Sequence, residues 1–416
     1  MSKRLAIAGM VAALAATISL TGGALRDPAE SAASTSGGTA ALVASLERRD
    51  AKDARAYLEL GLAYQQLTRE TGEAAYYPRS ERALRRALAL EPRNATTLGA
   101  LGSLALARHD FRGALAYGRR AARIAPYSAL HYGVIGDALI ELGRYESAFA
   151  AFDRMAQLRP SSSAYARVSY ARELLGRTQE AEQAMRLALA SAAGHEERSA
   201  WVLSHLGKLA LSQGQTAVAA RRFRAALAVS PEYGSALEGL GHVEAAHGRL
   251  AQAIGLMKRA GKTASAVEAL GDLYRLSGRE SLAQDAYRDA FEYLRYETRY
   301  GVHMSLDLAT FQADRGIRLG EALVLARRGY RDRPSVVGDD ALGWALVRNG
   351  RCHEGLTFAR RALRLGTRDA SWVFHRAMAE RCVGNHAEAR KLFRRALDIN
   401  PHFSILWSRV ARQHAA

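Results

Sequence analysis

The 416-residue sequence is poor in proline, cysteine and aromatic residues. It has only eight prolines, and no stretch alternates apolar and polar side chains over the length of a strand. A half-buried β-strand requires that alternation, so a sheet protein is excluded. The two cysteines, Cys352 and Cys382, are too few for a disulfide scaffold, and the sequence alone leaves their pairing open.

Lysine is also scarce, although the formal net charge is +18. Nearly all of the cations are arginines. An excess of cations indicates an acidic partner, such as nucleic acid, anionic lipid or an acidic protein. Codon usage in a GC-rich genome is an alternative explanation, because it raises arginine, alanine and glycine together. A selected nucleic-acid surface more often mixes lysine with arginine, so we do not expect nucleic acid as the partner.

Alanine, leucine and arginine recur throughout the chain, and 49% of the residues are apolar. These three residues are among the best helix formers. The chain is long enough for two or three globular domains or for one long solenoid. The composition therefore indicates a helical protein with a sizeable core.

Residues 1–24 have the layout of a secretory signal. Lys3 and Arg4 precede an apolar run over residues 5–20, and the small residues Gly22 and Ala24 follow it. The run is slightly short for a spanning helix, which needs about 18 apolar residues or more. We therefore predict an exported chain, periplasmic or extracellular, in which this segment is a signal peptide or an uncleaved anchor in the cytoplasmic membrane. A cytosolic chain with an apolar first helix is the alternative.

Residues 25–52 are mostly small and polar and have no long periodic apolar face. Such a segment buries too little apolar surface to offset the entropy lost on ordering. We predict a flexible linker, with room for one short extra helix over residues 39–46.

From residue 53 onward the sequence repeats itself at a period of 34 residues. That spacing separates successive prolines at Pro92, Pro126 and Pro160, and the paired glycines Gly102 and Gly136, Gly207 and Gly241, and Gly350 and Gly384. One complete unit carries Leu203, Leu206, Gly207, Ala219, Phe223, Ala226 and Pro231. This order of large apolar, glycine, alanine, aromatic, alanine and proline resembles the tetratricopeptide repeat (TPR) family.

The resemblance implies an all-α fold. It would be a right-handed superhelical solenoid of about ten helical hairpins over residues 53–401, with residues 402–416 forming a capping helix and tail. In each hairpin, helix A precedes helix B. One set of glycines would let the two helices approach closely: Gly102, Gly136, Gly207, Gly241 and Gly271. A second set would end helix A in a left-handed turn: Gly143, Gly176, Gly214, Gly248, Gly278, Gly350 and Gly384.

Helix A lines the concave surface in this family, so the register assigns side chains to a groove that would hold a protein or peptide. The candidates are Arg167, Tyr170, Trp201, Lys208, His242, Arg275, Trp344, Arg348 and Phe374. Because aromatic and arginine side chains are common hot spots, we predict two peptide anchors, Tyr170 with Trp201 and Trp344 with Phe374. Packing of the two tryptophans between hairpins is the alternative. The lysine–asparagine clamp with which some members hold chaperone tails is missing, since its positions carry Gly99, Ser103, Gly133 and Asp137.

Paired arginines recur at the same two positions of helix B. Stacking of the hairpins would align them on the convex side, where they would meet anionic lipid or an acidic surface. Ordinary solvent-facing charge is the alternative. The pairs are Arg85 and Arg86, Arg119 and Arg120, Arg327 and Arg328, Arg360 and Arg361, and Arg394 and Arg395.

No phosphate-binding glycine loop, zinc-protease helix motif or nucleophile elbow is present. The local group of Cys352, His353, His375, Cys382 and His386 matches no metal-ligand spacing. The sequence therefore predicts a non-enzymatic interaction scaffold, with no cofactor and no metal, that binds a protein or peptide in its groove. The alternative is a membrane-anchored assembly or regulatory factor whose arginine-rich convex face meets anionic lipid or an acidic partner.

Overall fold

The computed structural model describes residues 36–49, 52–261 and 263–416, and within them the chain forms 22 α-helices and no strand. Ten consecutive pairs pack as helical hairpins, which matches the number expected. The A helices are α2 (Ala54–Thr71), α4 (Ala95–Ala107), α6 (Ala129–Glu141), α8 (Ser162–Leu174), α10 (Glu196–Ser212), α12 (Gly234–Ala246), α14 (Ala264–Leu276), α16 (Ser305–Arg315), α18 (Val336–Arg348) and α20 (Ala370–Cys382). The B helices are α3 (Tyr76–Leu90), α5 (Phe111–Ile124), α7 (Tyr145–Leu158), α9 (Thr178–Ala190), α11 (Thr216–Val229), α13 (Leu250–Arg259), α15 (Glu280–Arg299), α17 (Leu319–Asp332), α19 (Cys352–Ala362) and α21 (His386–Ile399).

Local sequence signals set where the helices begin and end. The side chains of Asp53, Asn94 and Asp110 cap helices by accepting a hydrogen bond, each at 2.9 Å, from a backbone N–H three residues ahead. All seven glycines predicted to end helix A have a left-handed φ, between 69° and 88°. At the second hairpin His109 takes that place with φ 58°, and its ring stacks on Phe111 at 5.7 Å.

The glycines predicted to allow close approach do so. A Cβ added at Gly136 would lie 2.3 Å from the Phe152 ring, and one at Gly271 would lie 2.3 Å from the Tyr287 ring. Both rings belong to helix B of the same hairpin, and an added methyl group would have no space. The aromatic position of the repeat is therefore seated on the glycine position.

The A helices form an inner layer and the B helices an outer one. Neighbouring A helices pack directly against one another, as α10 does on α12 and α16 on α18. Among the described helices, neighbouring B helices have no comparable contact. This wedge-shaped stacking curves the array, so the A helices line its concave side.

The array curves far enough to contact itself. The α4–α5 turn contacts the α15–α16 connection, where Arg108 donates to the carbonyl oxygen of Gly301 at 3.1 Å. In the same way, Thr367 donates to the carbonyl of Leu174 at 2.6 Å, and Asn400 donates to that of Leu211 at 2.9 Å. Each contact joins the turn after one A helix to the connection eleven helices later, so one superhelical turn takes about five and a half hairpins. We call this set of contacts the coil junction.

A buried ion pair lies at the centre of the coil junction. Arg333, at the end of α17, donates two hydrogen bonds to Glu141 at the end of α6, one of them at 2.9 Å. Arg333 is only 4% exposed. Beside the pair, the backbone N–H of Val336 donates to the hydroxyl of Tyr145 at 2.7 Å. A Cβ at Gly143 would lie 2.6 Å from the carbonyl oxygen of Pro334, so the two coils touch backbone to backbone.

Both ends of the array differ from the prediction. Helix α1 (Ser36–Leu46) lies inside the predicted flexible linker, and it packs on α2 through Val43 and Leu46. The linker prediction was therefore wrong for these residues, since two apolar side chains and a hydrogen bond from Thr39 to Glu70 hold them in place. The final helix α22 (Trp407–Ala415) begins five residues later than the predicted capping segment. The predicted signal segment, residues 1–24, lies outside the described residues.

Cys352 and Cys382 form a disulfide, with their Cα atoms 5.4 Å apart. It joins the start of α19 to the end of α20 and so links the last two hairpins. The pairing that the sequence left open is thus present. By the chain-entropy argument, closing a loop of 30 residues stabilises the fold by about 3–4 kcal/mol.

Candidate partner-binding groove

The predicted groove residues all lie on A helices, but they differ in accessibility. Arg167 on α8 is 2% exposed. Its Nη2 donates to Oδ2 of Asp137 on α6 at 2.6 Å, and its Nη1 donates to the carbonyl of Ser163 at 3.1 Å. The guanidinium therefore joins two neighbouring A helices. Arg167 is a structural residue and not the free groove contact that was predicted.

The predicted anchor pair of Trp344 and Phe374 is also inaccessible. Both side chains have no exposed surface. The indole Nε1 of Trp344 donates to Asp314 at 2.8 Å, and its ring stacks on His375 at 4.4 Å. The anchor prediction is wrong at this pair in the conformation described, and the alternative, packing between hairpins, is what the structure shows.

The C-terminal segment covers this end of the groove, which the sequence reasoning missed. Trp407 lies edge-on to Trp344 at 5.5 Å, and Phe403 lies 5.4 Å from Phe374. Arg348 extends over both indoles, at 5.3 Å from Trp344 and 5.0 Å from Trp407. Two large aromatic side chains within a predicted cap were the available signal, because a solvent-facing cap has no need of them.

Further groove candidates are half-buried. Arg275 on α14 extends over the ring of Tyr287 at 4.9 Å and lies 3.5 Å from Glu280. Trp201 on α10 lies against the ring of His205 at 3.8 Å and remains partly exposed. Tyr170 is buried. Of the four predicted aromatic anchors, Trp201 alone keeps accessible surface.

A polar cluster lies in the middle of the concave surface, on three consecutive A helices. Ser204 and Lys208 come from α10, Glu238 and His242 from α12, and Ser265 from α14. The hydroxyl of Ser265 donates to one oxygen of Glu238 at 3.2 Å, and Nε2 of His242 lies 3.9 Å from the other. Glu238 is 1% exposed and Ser204 has no exposed surface. We call these five residues the central polar cluster.

Burial dominates the charge state of this cluster. It raises the pKa of Glu238 to about 7, an effect opposed by the nearby Lys208. Burial lowers the pKa of His242 to about 4, and the positive charge of Lys208 lowers it further. The same desolvation lowers the pKa of Lys208, against the attraction of Glu238. Charged groups are thus held in a water-poor site on the inner surface, where an ionic or hydrogen-bonding ligand would interact strongly.

Buried polar atoms without a hydrogen-bond partner recur along the inner surface of the described array. Four of them belong to three consecutive A helices and are Tyr170 Oη, Glu173 Oε1, Ser204 Oγ and Glu238 Oε1. An unsatisfied buried polar group costs about 1–3 kcal/mol, so native proteins keep few of them. Their concentration on one stretch of the concave face indicates hydrogen-bonding capacity available to a ligand.

Glu173 provides a pH-dependent test of this environment. Burial raises its pKa from the usual 4.5 to about 8. Because the folded state then binds the proton more tightly, stability falls as pH rises from about 4.5 to 8 and levels off above that range. We expect Glu173→Gln to leave stability unchanged at pH 4 and to raise it by about 2–4 kcal/mol at pH 9, at about 1.4 kcal/mol per pKa unit. Chemical denaturation across pH measures this.

The exposed Glu146 supplies the control, since Glu146→Gln should change stability by less than about 0.5 kcal/mol at either pH. A Glu173→Gln protein with the wild-type pH profile would show that the carboxyl group is well solvated.

All ten predicted convex arginines lie on outer helices and are exposed. Several are already engaged with the protein. Arg360 contacts the buried Glu380 at 2.9 Å, Arg361 contacts the buried Asp339 at 3.1 Å, and Arg85 contacts Glu81 at 2.6 Å. Among the residues that the structure describes, the pairs on α5 and α17 have no such acidic partner. The convex arginines are therefore of two kinds, neutralised and un-neutralised.

Within the described ranges, no group of three or more histidine, cysteine or carboxylate side chains is placed to hold a metal ion. Over the same residues, no helix combines the length and hydropathy needed to cross a bilayer. The apolar run over residues 5–20 lies outside them.

The repeat, the glycine geometry and the layered hairpins define a class of protein, the helical-repeat solenoids. Models described as tetratricopeptide repeat match residues 77–129, 132–162, 205–266 and 341–402, half of the chain in all. The chain belongs to the tetratricopeptide repeat family. Such arrays are interaction scaffolds that bind protein partners and are generally without catalytic activity.

Several solved structures resemble the chain. A thermophilic TPR protein of Thermus thermophilus has 23% identity and a TM-score of 0.39, covering 43% of this chain and 92% of that chain. A chain of the APC/C hetero-tetramer Cut9–Hcn1 has 15% identity and a TM-score of 0.38, covering 91% and 87%. The human IFIT1 dimer with PPP-AAAA has 14% identity and a TM-score of 0.47, covering 87% of each chain. At these identities the likeness is one of fold and carries no information about a ligand. No curated protein sequence matches the chain.

Proposed function

We propose that this protein is a non-enzymatic scaffold, exported across the cytoplasmic membrane, that binds a protein or peptide on the central part of its concave groove. The row of unpartnered polar atoms on α8, α10 and α12 supports this proposal. A peptide backbone offers N–H and C=O groups at regular intervals, which can satisfy such atoms on successive helices.

The accessible part of the groove narrows the binding region. Phe403 and Trp407 cover the C-terminal end, and Arg167 is held by Asp137 toward the N-terminal side. Between them lie the central polar cluster and Trp201, which adds a partly exposed aromatic surface beside Lys208. A large aromatic side chain next to a desolvated charge is a common composition for an interface hot spot.

Affinity capture from the native host tests the proposal, with the chain first located by fractionation. We expect a protein that the wild-type chain captures to be recovered at least about ten-fold less by the Ser204→Ala/Glu238→Gln double variant, since a lost buried hydrogen bond to a ligand corresponds to about 1.4 kcal/mol or more. Thermal unfolding of the double variant should match the wild type, because both atoms lack partners in the unbound protein.

The matched control is Arg186→Ala on the outer face of α9, which should capture as the wild type does. Equal recovery by the double variant would refute groove binding at this cluster. A chain found only in the cytosolic fraction would refute export and leave the binding result standing.

A further inference from the structure

The convex surface carries an arginine-rich strip that does not depend on the groove. Helix α5 has four arginines and no acidic residue. They are all exposed, and their spacing places them on one outward face: Arg112, Arg119, Arg120 and Arg123. Helix α17 presents Arg327, Arg328 and Arg331 in the same manner, spaced three, four and seven residues after the exposed Val324.

The coil junction joins these two faces end to end. Nη2 of Arg112, near the start of α5, donates to the carbonyl oxygen of Arg331, near the end of α17, at 3.0 Å. Each helix has 14 residues and is therefore about 21 Å long, so together they form a strip of about 40 Å. The strip brings together seven arginines from segments that are more than 200 residues apart in sequence. We call it the α5–α17 strip.

The strip lacks internal neutralisation. In the part of the chain that the structure describes, Arg119, Arg120, Arg327 and Arg328 make no ion pair, in contrast to Arg361 and its neighbour Arg364, which both reach Asp339. Seven cations held along 40 Å repel one another, and an anionic surface relieves that repulsion. The neighbouring α19 has its arginines paired, so its capacity for an external anion is smaller.

Apolar side chains lie toward both ends of the strip. Val324 on α17 is 67% exposed, and Tyr127, three residues beyond α5, is 80% exposed. Ile124 is exposed beside Tyr127. A tyrosine ring with a polar tip suits the headgroup region of a bilayer, and basic residues beside it attract anionic headgroups.

The shape of the surface favours a bilayer over a folded acidic partner. The helices of stacked coils run along the superhelical axis, because turns of one coil meet connections of the next. A convex, roughly cylindrical surface touches a plane along a line parallel to its axis, and the α5–α17 strip lies along that line.

We propose that the α5–α17 strip docks the convex surface on an anionic lipid bilayer, with the arginines at the phosphate level and Tyr127 and Val324 entering the interface. This contact leaves the concave groove facing away from the membrane and free to bind its partner. It would therefore present the groove at a membrane surface.

Vesicle co-sedimentation of the full chain tests the proposal, with phosphatidylcholine vesicles that contain or lack phosphatidylglycerol. The apolar residues 5–20 are common to all variants and would bind both vesicle types, so the anionic-minus-neutral difference reports the strip. We expect Arg119→Gln/Arg120→Gln/Arg327→Gln/Arg328→Gln to lose about 100-fold or more of that difference, since each basic residue near an anionic surface contributes a factor of about five.

The matched control removes the same charge from other outer helices, as Arg186→Gln/Arg221→Gln/Arg224→Gln/Arg288→Gln. We expect it to retain binding within about three-fold and both variants to melt as the wild type does, as exposed substitutions usually do. Raising the salt to about 0.5 M should weaken the wild-type difference, because such attraction is screened. Equal losses in both variants, or binding unchanged by salt, would overturn the assignment to this strip.

Insertion is read independently of affinity. Since the native cysteines are disulfide-bonded, an environment-sensitive dye can be placed on Tyr127→Cys, with Leu187→Cys on α9 as the exposed apolar control. We expect a blue shift with anionic vesicles at position 127 and none at position 187. A shift at both positions, or at neither, would contradict docking through this strip.

Discussion

Replacement of Arg333 by alanine is expected to open the coil junction and to lower the free energy of unfolding by about 3–5 kcal/mol. The substitution leaves the Glu141 carboxylate buried without its guanidinium partner, and breaking a buried ion pair in this way is strongly destabilising. Because Arg333 also extends over Phe111 at 5.6 Å, its loss loosens the start of α5 as well. Chemical denaturation measures the free energy, and small-angle scattering should show a larger radius of gyration.

Arg328→Ala is the control for this experiment. It removes the same charge from an exposed position on α17 and should change stability by less than about 0.5 kcal/mol, with an unchanged scattering profile. If Arg333→Ala gives the wild-type scattering profile and stability, the two coils are held by the remaining junction contacts and the ion pair is dispensable.

Replacement of Trp344 by alanine is expected to destabilise the C-terminal hairpins by about 3–5 kcal/mol. The fully buried indole contacts Phe374, His375 and Trp407 and donates a hydrogen bond to Asp314, so truncation leaves both a cavity and an unsatisfied carboxylate. Hydrogen exchange should rise in α18, α20 and α22, and thermal unfolding should begin at a lower temperature.

The more exposed Trp201 gives the comparison. Trp201→Ala should affect stability less than Trp344→Ala does and should affect capture of a partner more. The opposite pattern, with Trp344→Ala stable but unable to bind, would restore Trp344 as a peptide anchor and require the C-terminal segment to leave the groove.

The two predictions depend on different ranges of interaction. Trp344 is packed by neighbouring hairpins and the last helix, and its register on the concave side was readable from the period of 34. Its coverage was not, because Phe403 and Trp407 lie in a segment without repeat pattern. Arg333 pairs with a residue 192 positions away, and nothing local in either segment indicates that contact.

The same division explains the arginines. Their recurrence at two positions of helix B predicted that they would be exposed on the outer layer, and all ten are exposed. Which of them would be neutralised depended on acidic residues of neighbouring hairpins, such as Glu380 and Asp339. That α5 and α17 would form one strip depended on the coil junction.

By itself, the sequence determined the local architecture of this protein. Glycines with left-handed φ end helix A, glycines such as Gly136 accept an aromatic ring from helix B, and the period of 34 repeats these choices. Such features act within a hairpin or between neighbours, where each contact has its own residue signal. The tertiary structure alone decided how far the array curves, that its coils touch, and which groove residues the C-terminal segment covers. Curvature is the sum of small rotations between successive hairpins, so contacts a full superhelical turn apart depend on all of the intervening units together.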